Sequence, residues 1–387
     1  MVSKKKSQTI MMPHSKAKVE FYEKYLERYL PIMSNTKYVS AIHIYDFFCG
    51  RGIYENGGEG SPVRAVKAIV NAKKNNPSNT RFTLDLNDLS TDYIEMVKSY
   101  IAKTIPDYRR YCEVNFSTGD AVQLLEGLGD ILAMTKNDER NLLFIDPYGY
   151  SLIHKETIER ILNNRRTEII LFLPVSFMYR FNGYAFDSEA SKGVAPLREF
   201  IESYFPVDHP MRRNDGDINV HKYIDYLKEA FSYNGRFYTA SYQIERNSNS
   251  FFSLFFITSN LRGFEKIVEV KWYLDEDNGN SFRLASLSPQ ETLFNDFFAS
   301  QNKIEHGRRL AEYLLDYLKE CRDNGELFVF VLKKGYLPKH ATGVLKQLQD
   351  EGKLDVINIE TGVAARRGSF YLNYEGVSKP KVRFILK

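Results

Sequence analysis

The chain has 387 residues, of which 43% are hydrophobic and 26% charged, so it is long enough for two or three domains with ordinary buried cores. Its formal net charge of +4 is too mild to demand a nucleic-acid partner, and its three cysteines, Cys49, Cys112 and Cys321, form neither a disulfide framework nor a zinc-type Cys/His spacing. No apolar stretch approaches the roughly 18 residues of a membrane span, and Met1–Met12 carries Lys4-Lys5-Lys6 without the apolar core of a signal peptide. The expectation is a cytoplasmic protein with no metal site and no membrane contact.

Ser15 to Met33 reads as a helix capped by Ser15, because Val19, Tyr22, Tyr25, Leu26, Tyr29 and Leu30 recur at helical spacing. Strand-like runs then alternate with helical ones: strands over 42–48, 81–87, 112–117, 141–146 and 167–173, helices over 61–74, 90–103, 120–133 and 155–163. That alternation predicts an α/β fold, a Rossmann-like, doubly wound and mostly parallel sheet. Turn-rich residues from about 180 to 235 hold helices over 192–204 and 219–231, an insertion suited to a substrate, with Arg180 and Lys192 as phosphate contacts. Arg236–Ile244 and Phe251–Thr258 predict a terminal antiparallel hairpin. Beyond the polar residues 275–280 come a helix over 303–322, a strand over Leu327–Leu332, a helix over 338–352 and strands over 353–359 and 368–373. The expected division is an N-terminal helical segment, 1–35, a main domain, 36–290, and a C-terminal domain, 291–387.

Two strand ends carry the chemistry. The first, Asp46-Phe47-Phe48-Cys49-Gly50-Arg51-Gly52, ends in a glycine turn, and Ser61-Pro62 opens the next helix with serine at the cap and proline in the first turn. Glycines admit a ligand close to backbone, and a helix start offers free N–H groups. The nicotinamide pattern fits poorly, because Glu55 holds the third glycine position and the candidate acid Asp88 lies 42 residues beyond Asp46. A P-loop is excluded, since GxxxxGK[ST] does not occur. S-adenosylmethionine fits better: Asp46, Phe48, Gly50 and Gly52 suit its amino-acid end, Asp88 its ribose hydroxyls, and Asp120 its adenine amino group.

The second end is Asp146-Pro147-Tyr148-Gly149-Tyr150. It resembles the D-P-P-Y signature of amino-group methyltransferases, with Tyr148 in place of the second proline and Gly149 where the aromatic belongs. A carboxylate and a backbone carbonyl there accept the hydrogens of a poorly nucleophilic exocyclic amine, and Tyr148 or Tyr150 stacks on its base. Asp146, Pro147 and Tyr148 are therefore the expected catalytic residues, and alignment of nitrogen, methyl and sulfur supplies about 7–11 kcal/mol.

Helix, short strand, helix and two strands around a basic turn predict a C-terminal winged helix-turn-helix. Lys339, His340 and Lys346 lie on its recognition helix, and Arg366 and Arg367 on its wing. Residues 329–387 carry 11 Lys/Arg against 5 Asp/Glu, a local net of +6, so DNA or RNA is the expected partner, with a protein-interaction role as the alternative.

The chain resembles the three-Cys-motif partner proteins, a bacterial family with a class I methyltransferase-like fold and a C-terminal winged helix. The resemblance rests on His14-Ser15-Lys16-Ala17-Lys18 with Tyr25-Leu26, on Asp46 to Tyr54, on Gly57 to Gly60-Ser61-Pro62, on Phe144 to Gly149, and on Phe255 to Ser259 with Gly263. It implies S-adenosylmethionine at the Gly50/Gly52 turn, chemistry near Asp146, and an iron–sulfur-type partner protein bearing three cysteines. It also brings His14 and Lys18, ahead of the first helix, towards the cofactor or substrate. The leading expectation is a methyltransferase acting on an amino group in nucleic acid. Its alternatives are a non-catalytic, nucleoside-sensing DNA-binding regulator and a partner-recruited methyltransferase of a protein or small molecule.

Overall fold

A computed structural model describes residues 9–147, 149–187, 192–213, 218–247, 250–277, 279–282 and 307–387. The chain forms two compact units, one of Met1–Asn260 with Phe282–Leu284, the other of Leu261–Ser281 with Ala285–Lys387.

In the first unit, seven strands follow the helix α1 (Pro13–Ser34): β1 (Ala41–Asp46), β2 (Arg81–Asp88), β3 (Glu113–Thr118), β4 (Glu139–Ile145), β5 (Thr167–Leu173), β6 (Tyr238–Asn247) and β7 (Ser250–Thr258). They lie side by side in the order β3-β2-β1-β4-β5-β7-β6. β1 to β5 are mutually parallel, and β7 runs antiparallel to both β5 and β6. This is the class I methyltransferase order, with the order reversing between β1 and β4. A topological switch of that kind opens a crevice at the carboxyl ends of the two strands. Register pairs Asp46, the last residue of β1, with Phe144, so β1 and β4 end within one residue of each other.

Central strands are mostly apolar because helices cover both faces; every residue of β5 is buried, Thr167 and Glu168 included. Phe144 and Phe256 face α1, where Tyr22 stacks on Phe144 at 4.4 Å and Tyr25 meets Phe256 at 4.9 Å. Their neighbours Leu143, Ile145, Phe255 and Ile257 face the opposite way, as alternation along a strand requires, into a core shared with α4 (Ala121–Ala133), α5 (Lys155–Leu162), α6 (Val175–Ala185), α7 (Ala195–Tyr204) and α8 (Val220–Phe231). Between β1 and β3 lie α2 (Ser61–Asn75) and α3 (Thr91–Thr104).

Three expectations change here. α1 begins at Pro13 with Met12 at its cap, so Ser15 caps nothing, and His14 and Lys18 lie within the helix instead of ahead of it. Ser61 is the first helical residue of α2, behind an N-cap at Gly60. The helix α6 was not expected, because its Phe177, Tyr179, Phe181 and Tyr184 are weak helix formers.

In the second unit, α9 (Leu261–Leu274) is followed by helical residues 307–317, α10. α11 (Asn324–Lys333) and α12 (Pro338–Asp350) come next, with a short helix, α13 (Glu375–Ser378), late in the unit. Three strands form an antiparallel sheet in which Val382–Leu386 pairs with both Leu354–Asn358 and Arg322–Asp323. The expected strand over Leu327–Leu332 is helical, since Asp323 accepts from the Gly325 and Glu326 N–H groups and Glu326 answers with a capping box. The second wing strand is Val382–Leu386, not 368–373, and α10 stops at 317 instead of 322.

Candidate active site

The turn after β1 is built from three strand ends. Gly50 and Gly52 both hold positive φ, +64° and +69°, which other residues adopt only with strain. Their roles differ: a Cβ at Gly50 would meet nothing within 4 Å, whereas one at Gly52 would lie 2.6 Å from Val97 Cγ2. Gly50 faces open space, and Gly52 is a packing glycine against α3.

Asp88, at the end of β2, is buried, and its Oδ2 accepts the Gly50 N–H at 3.0 Å while Oδ1 accepts the Ser90 N–H at 2.9 Å. Burial pushes its carboxyl up, and those N–H donors pull it back. Its first duty is thus to fasten the glycine turn. Asn87 beside it, which sequence reasoning passed over, donates to the Phe47 carbonyl at 3.2 Å and the Gly119 carbonyl at 3.0 Å, tying the ends of β1 and β3 together. Asp120 caps α4, accepting the Val122 N–H at 2.8 Å, and is exposed. Phe48 is half-buried against the core.

Asp46 is sealed from solvent. Ser61 donates to its Oδ2 at 2.6 Å, a use of that hydroxyl that displaces the expected cap. Its Oδ1 is buried and meets no hydrogen-bond partner among the described residues. Burial above all, with the nearby Asp146 charge, pushes the Asp46 carboxyl up to about 7, against the pull of Ser61, the Phe48 N–H and Lys18.

At the end of β4, Asp146 forms an ion pair with Lys18 of α1, the two side chains 21% and 14% exposed. The Lys18 ammonium also lies 4.6 Å from the centre of the Phe172 ring. Phe172 stacks on Phe252 at 4.9 Å, Phe252 on His14 at 5.5 Å, and the Arg246 guanidinium lies 6.0 Å from Phe252. Burial, then the Lys18 and Arg246 charges, push the His14 imidazole down to about 4, with Asp146 opposing them. At neutral pH His14 is therefore uncharged. Tyr54, from the glycine-rich loop, has its hydroxyl pushed up by burial and by the Asp146 charge, with Arg51 acting against them.

The structure thus gathers Asp46, Asp146, Lys18, His14 and Tyr54 at one edge of the sheet. Phe172, Phe252 and Arg246 belong to the same cluster and were not read from the sequence; their only sequence signal is position near the ends of β5, β7 and β6, the strands that follow β4 across the sheet. Pro147 is buried, while Tyr148 lies outside the described residues. Tyr150 is not free to stack on a substrate: it is buried, 6.2 Å from Phe177 and 6.0 Å from Phe200. Arg180 is exposed on α6, and the side chain of Lys192 lies outside the described residues.

In the second unit, Lys339, Lys346 and Arg366 are exposed. His340 is instead structural: its Nδ1 accepts the Leu337 N–H at 3.1 Å, and its ring lies 4.1 Å from Trp272. Arg367 is also committed, forming an ion pair with Asp350 at the end of α12, while the Gly368 N–H donates to Gln349 Oε1 at 3.1 Å. The wing offers further exposed cations at Lys379, Lys381 and Arg383.

Residues 285–359 match the family described as the GMT-like wHTH domain. The C-terminal module is a winged helix-turn-helix. Solved structures similar to the chain include an O-methyltransferase from Bacillus cereus in complex with S-adenosylhomocysteine, at 15% identity and TM-score 0.33, covering 61% of this chain and 80% of that one. Another is the O-methyltransferase TomG from Streptomyces achromogenes, involved in tomaymycin synthesis and in complex with S-adenosylmethionine, at 15% identity and TM-score 0.33, covering 61% and 79%. A third is a methyltransferase from Methanosarcina mazei, at 14% identity and TM-score 0.28, covering 59% and 96%. The strand order carries the fold assignment without them. No curated protein matches the chain significantly. Among the described residues no helix is long and apolar enough to cross a membrane, and no group of three or more His, Cys, Asp or Glu could hold a metal ion.

Proposed function

We propose that this protein is an S-adenosylmethionine-dependent methyltransferase acting on an amino group in nucleic acid. The observation that carries the reading is the sealed Asp46 Oδ1, without a hydrogen-bond partner among the described residues, at the start of the turn that holds Gly50 and within reach of the Asp146 charge. A buried acceptor left unpaired costs about 1–3 kcal/mol, and the ammonium of the cofactor's amino-acid end fits it. Asp46, Gly50 and the Asp88-fastened turn would hold that end, with Asp120 near the adenine. When bound, the cofactor supplies an electrophilic methyl group on a sulfonium.

The chain's own residues then have distinct tasks. Asp146 accepts a hydrogen from the target amine, which requires Lys18 to release it. Neutral His14 is able to take the proton that an alkylated amine must lose. Tyr54, half-buried in the glycine-rich loop, gives a flat surface for a base, and a duplex base would have to be flipped out, at a cost of a few kcal/mol. The winged helix would bring nucleic acid through Lys339, Lys346 and Arg366. The resemblance to the three-Cys-motif partner proteins adds a neighbouring iron–sulfur-type protein to this proposal.

A second reading, a nucleoside-sensing DNA-binding regulator, is favoured by the Lys18–Asp146 ion pair, which occupies the carboxylate that catalysis needs. Calorimetric titration with S-adenosylmethionine and S-adenosylhomocysteine, followed by labelled-methyl transfer to DNA, RNA and protein pools, separates the two. The expected outcome is binding of both nucleosides and transfer to nucleic acid that is lost in Asp146→Ala. Failure to bind either nucleoside sinks the cofactor reading. Binding without transfer to any pool favours the regulator, and transfer to protein alone favours the partner-recruited enzyme.

A further inference from the structure

Beyond the segment matched to the winged-helix family, residues 359–381 connect the strands Leu354–Asn358 and Val382–Leu386 and include α13. Tyr371 stands in this connection with φ +49°, a left-handed backbone that a bulky side chain adopts only with strain. Such strain persists where the surrounding structure imposes it. Here Asn324, the fully buried first residue of α11, does so. Its Nδ2 donates to the Tyr371 carbonyl at 2.9 Å, and its Oδ1 accepts the Lys381 and Val382 N–H groups at 2.7 and 3.1 Å. Gly376 makes room for that clamp, since a Cβ there would lie 2.1 Å from Asn324 Nδ2. One buried side chain thus fixes both ends of the segment 371–382.

The clamp holds an aromatic ring at the surface. Tyr371 is 42% exposed, and the Lys381 ammonium lies 5.1 Å from the centre of its ring. Lys353 and Lys387 are paired with Glu351 and Asp355, but no ion pair engages Lys381 among the described residues. Tyr374 is also exposed, with the Arg262 guanidinium 4.4 Å from its ring centre. Lys379 and Arg383 are exposed, and Glu375 is the one acid in 371–383. The acids flanking Asn324 and Gly325, Asp323 and Glu326, are taken up by the α11 capping box.

A structural tyrosine would be sunk in the core, and one that merely decorates a loop needs neither strain nor a clamp. A fixed, exposed ring beside an unpaired cation offers a flat face and a positive charge, which a nucleotide meets with its base and its phosphate. Neighbouring pairs cover the base faces inside a duplex, so the ring suits a single strand or a splayed end. Holding the ring in place beforehand lowers the ordering cost of binding.

We propose that Tyr371 and Lys381 form a base-stacking site for unpaired nucleic acid, fixed to the start of α11 and separate from Lys339 and Lys346 of α12. The site rests on the nucleic-acid reading of the winged helix above and adds to it a contact that only unpaired bases can make.

The test is fluorescence anisotropy with oligouridine, oligothymidine, an abasic strand of equal length and a duplex, on the full chain as wild type, Tyr371→Ala, Tyr371→Gly and Tyr371→Trp. Tyr371→Ala should weaken the base-bearing strands about 5- to 100-fold and change the abasic strand and the duplex by less than about twofold. Tyr371→Trp should retain the affinity. Tyr371→Gly removes the ring and relieves the left-handed backbone, so it should fold as wild type in thermal melting and show the same loss as Tyr371→Ala. Unchanged single-strand affinity in Tyr371→Gly, or equal losses on base-bearing and abasic strands, would overturn the stacking site, and retained duplex binding would leave the winged-helix reading standing. If the wild type binds none of these nucleic acids, both readings fail.

Discussion

Glu168, near the start of β5, and Asp46, at the end of β1, sit at opposite ends of parallel strands, and both are buried. In both, burial is the leading cause that pushes the carboxyl up to about 7. Their surroundings differ in one respect. Glu168 has a donor on each oxygen, Tyr25 on Oε2 and Thr258 on Oε1, the latter at 3.0 Å. Asp46 has Ser61 on Oδ2 and nothing on Oδ1 among the described residues. Depth and protonation tendency therefore do not separate Glu168 from Asp46, the carboxylate proposed to hold the ligand; the completeness of their hydrogen bonding does.

The largest expected effect exploits that difference. Asp46→Ala should weaken S-adenosylhomocysteine binding by about 100-fold, the value of a charge-assisted contact. Glu168→Ala should leave the affinity unchanged and instead cost about 2–4 kcal/mol of folding stability, because two buried hydroxyls lose their acceptor. Calorimetry and urea unfolding read the two quantities separately. A binding defect in Glu168→Ala as large as that in Asp46→Ala would erase the distinction.

Much of this architecture was legible in the sequence, and the exceptions have physical causes. The apolar runs of β1, β4 and β5 are readable because strands buried on both faces tolerate little else. The pairing of the β1 and β4 ends follows from the alternation of strands and helices. Leu327–Leu332 misled because β-branched and aromatic residues favour strands, yet Asp323 and Glu326 carry a capping-box spacing that pointed to helix. The Lys18–Asp146 ion pair joins positions 128 apart, and no local pattern announces it. Nor could a sequence reveal that His340 spends its ring on a helix start, or that Tyr150 is enclosed by Phe177 and Phe200. Residue types were readable; which of their atoms are already engaged was not.

The comparison sharpens with pH. Both carboxyls have folded values of about 7, above the ordinary values of 3.8 for Asp46 and 4.5 for Glu168. Between those limits the folded protein holds more protons than the unfolded chain, so stability contributed by these groups is full at low pH and is lost as pH rises through about 7. Glu168→Gln should flatten that decline in the urea midpoint. The ligand response should run the other way for Asp46: an ammonium prefers the ionised carboxylate, so S-adenosylhomocysteine affinity should rise between pH 5.5 and 7.5 in wild type, as checked by calorimetry, and stay flat in Asp46→Asn. A flat wild-type profile would mean that Asp46 does not meet the ammonium.

The smallest expected effect applies the same rule to the winged helix. Arg366 is exposed, whereas Arg367 is already paired with Asp350. Each phosphate neutralised by a cation steepens the fall of log affinity with log salt by about 0.9 on duplex DNA. Arg366→Ala should therefore lower that slope by about one phosphate contact. Arg367→Ala should barely change it, since its charge is met by a carboxylate at the end of α12. Fluorescence anisotropy on duplex DNA and on single-stranded RNA, across a salt series, measures both slopes. Equal losses would show that Arg367 leaves Asp350 when nucleic acid binds. No loss in either variant would move the wing out of the nucleic-acid interface, leaving α12 with Lys339 and Lys346 to carry the contact.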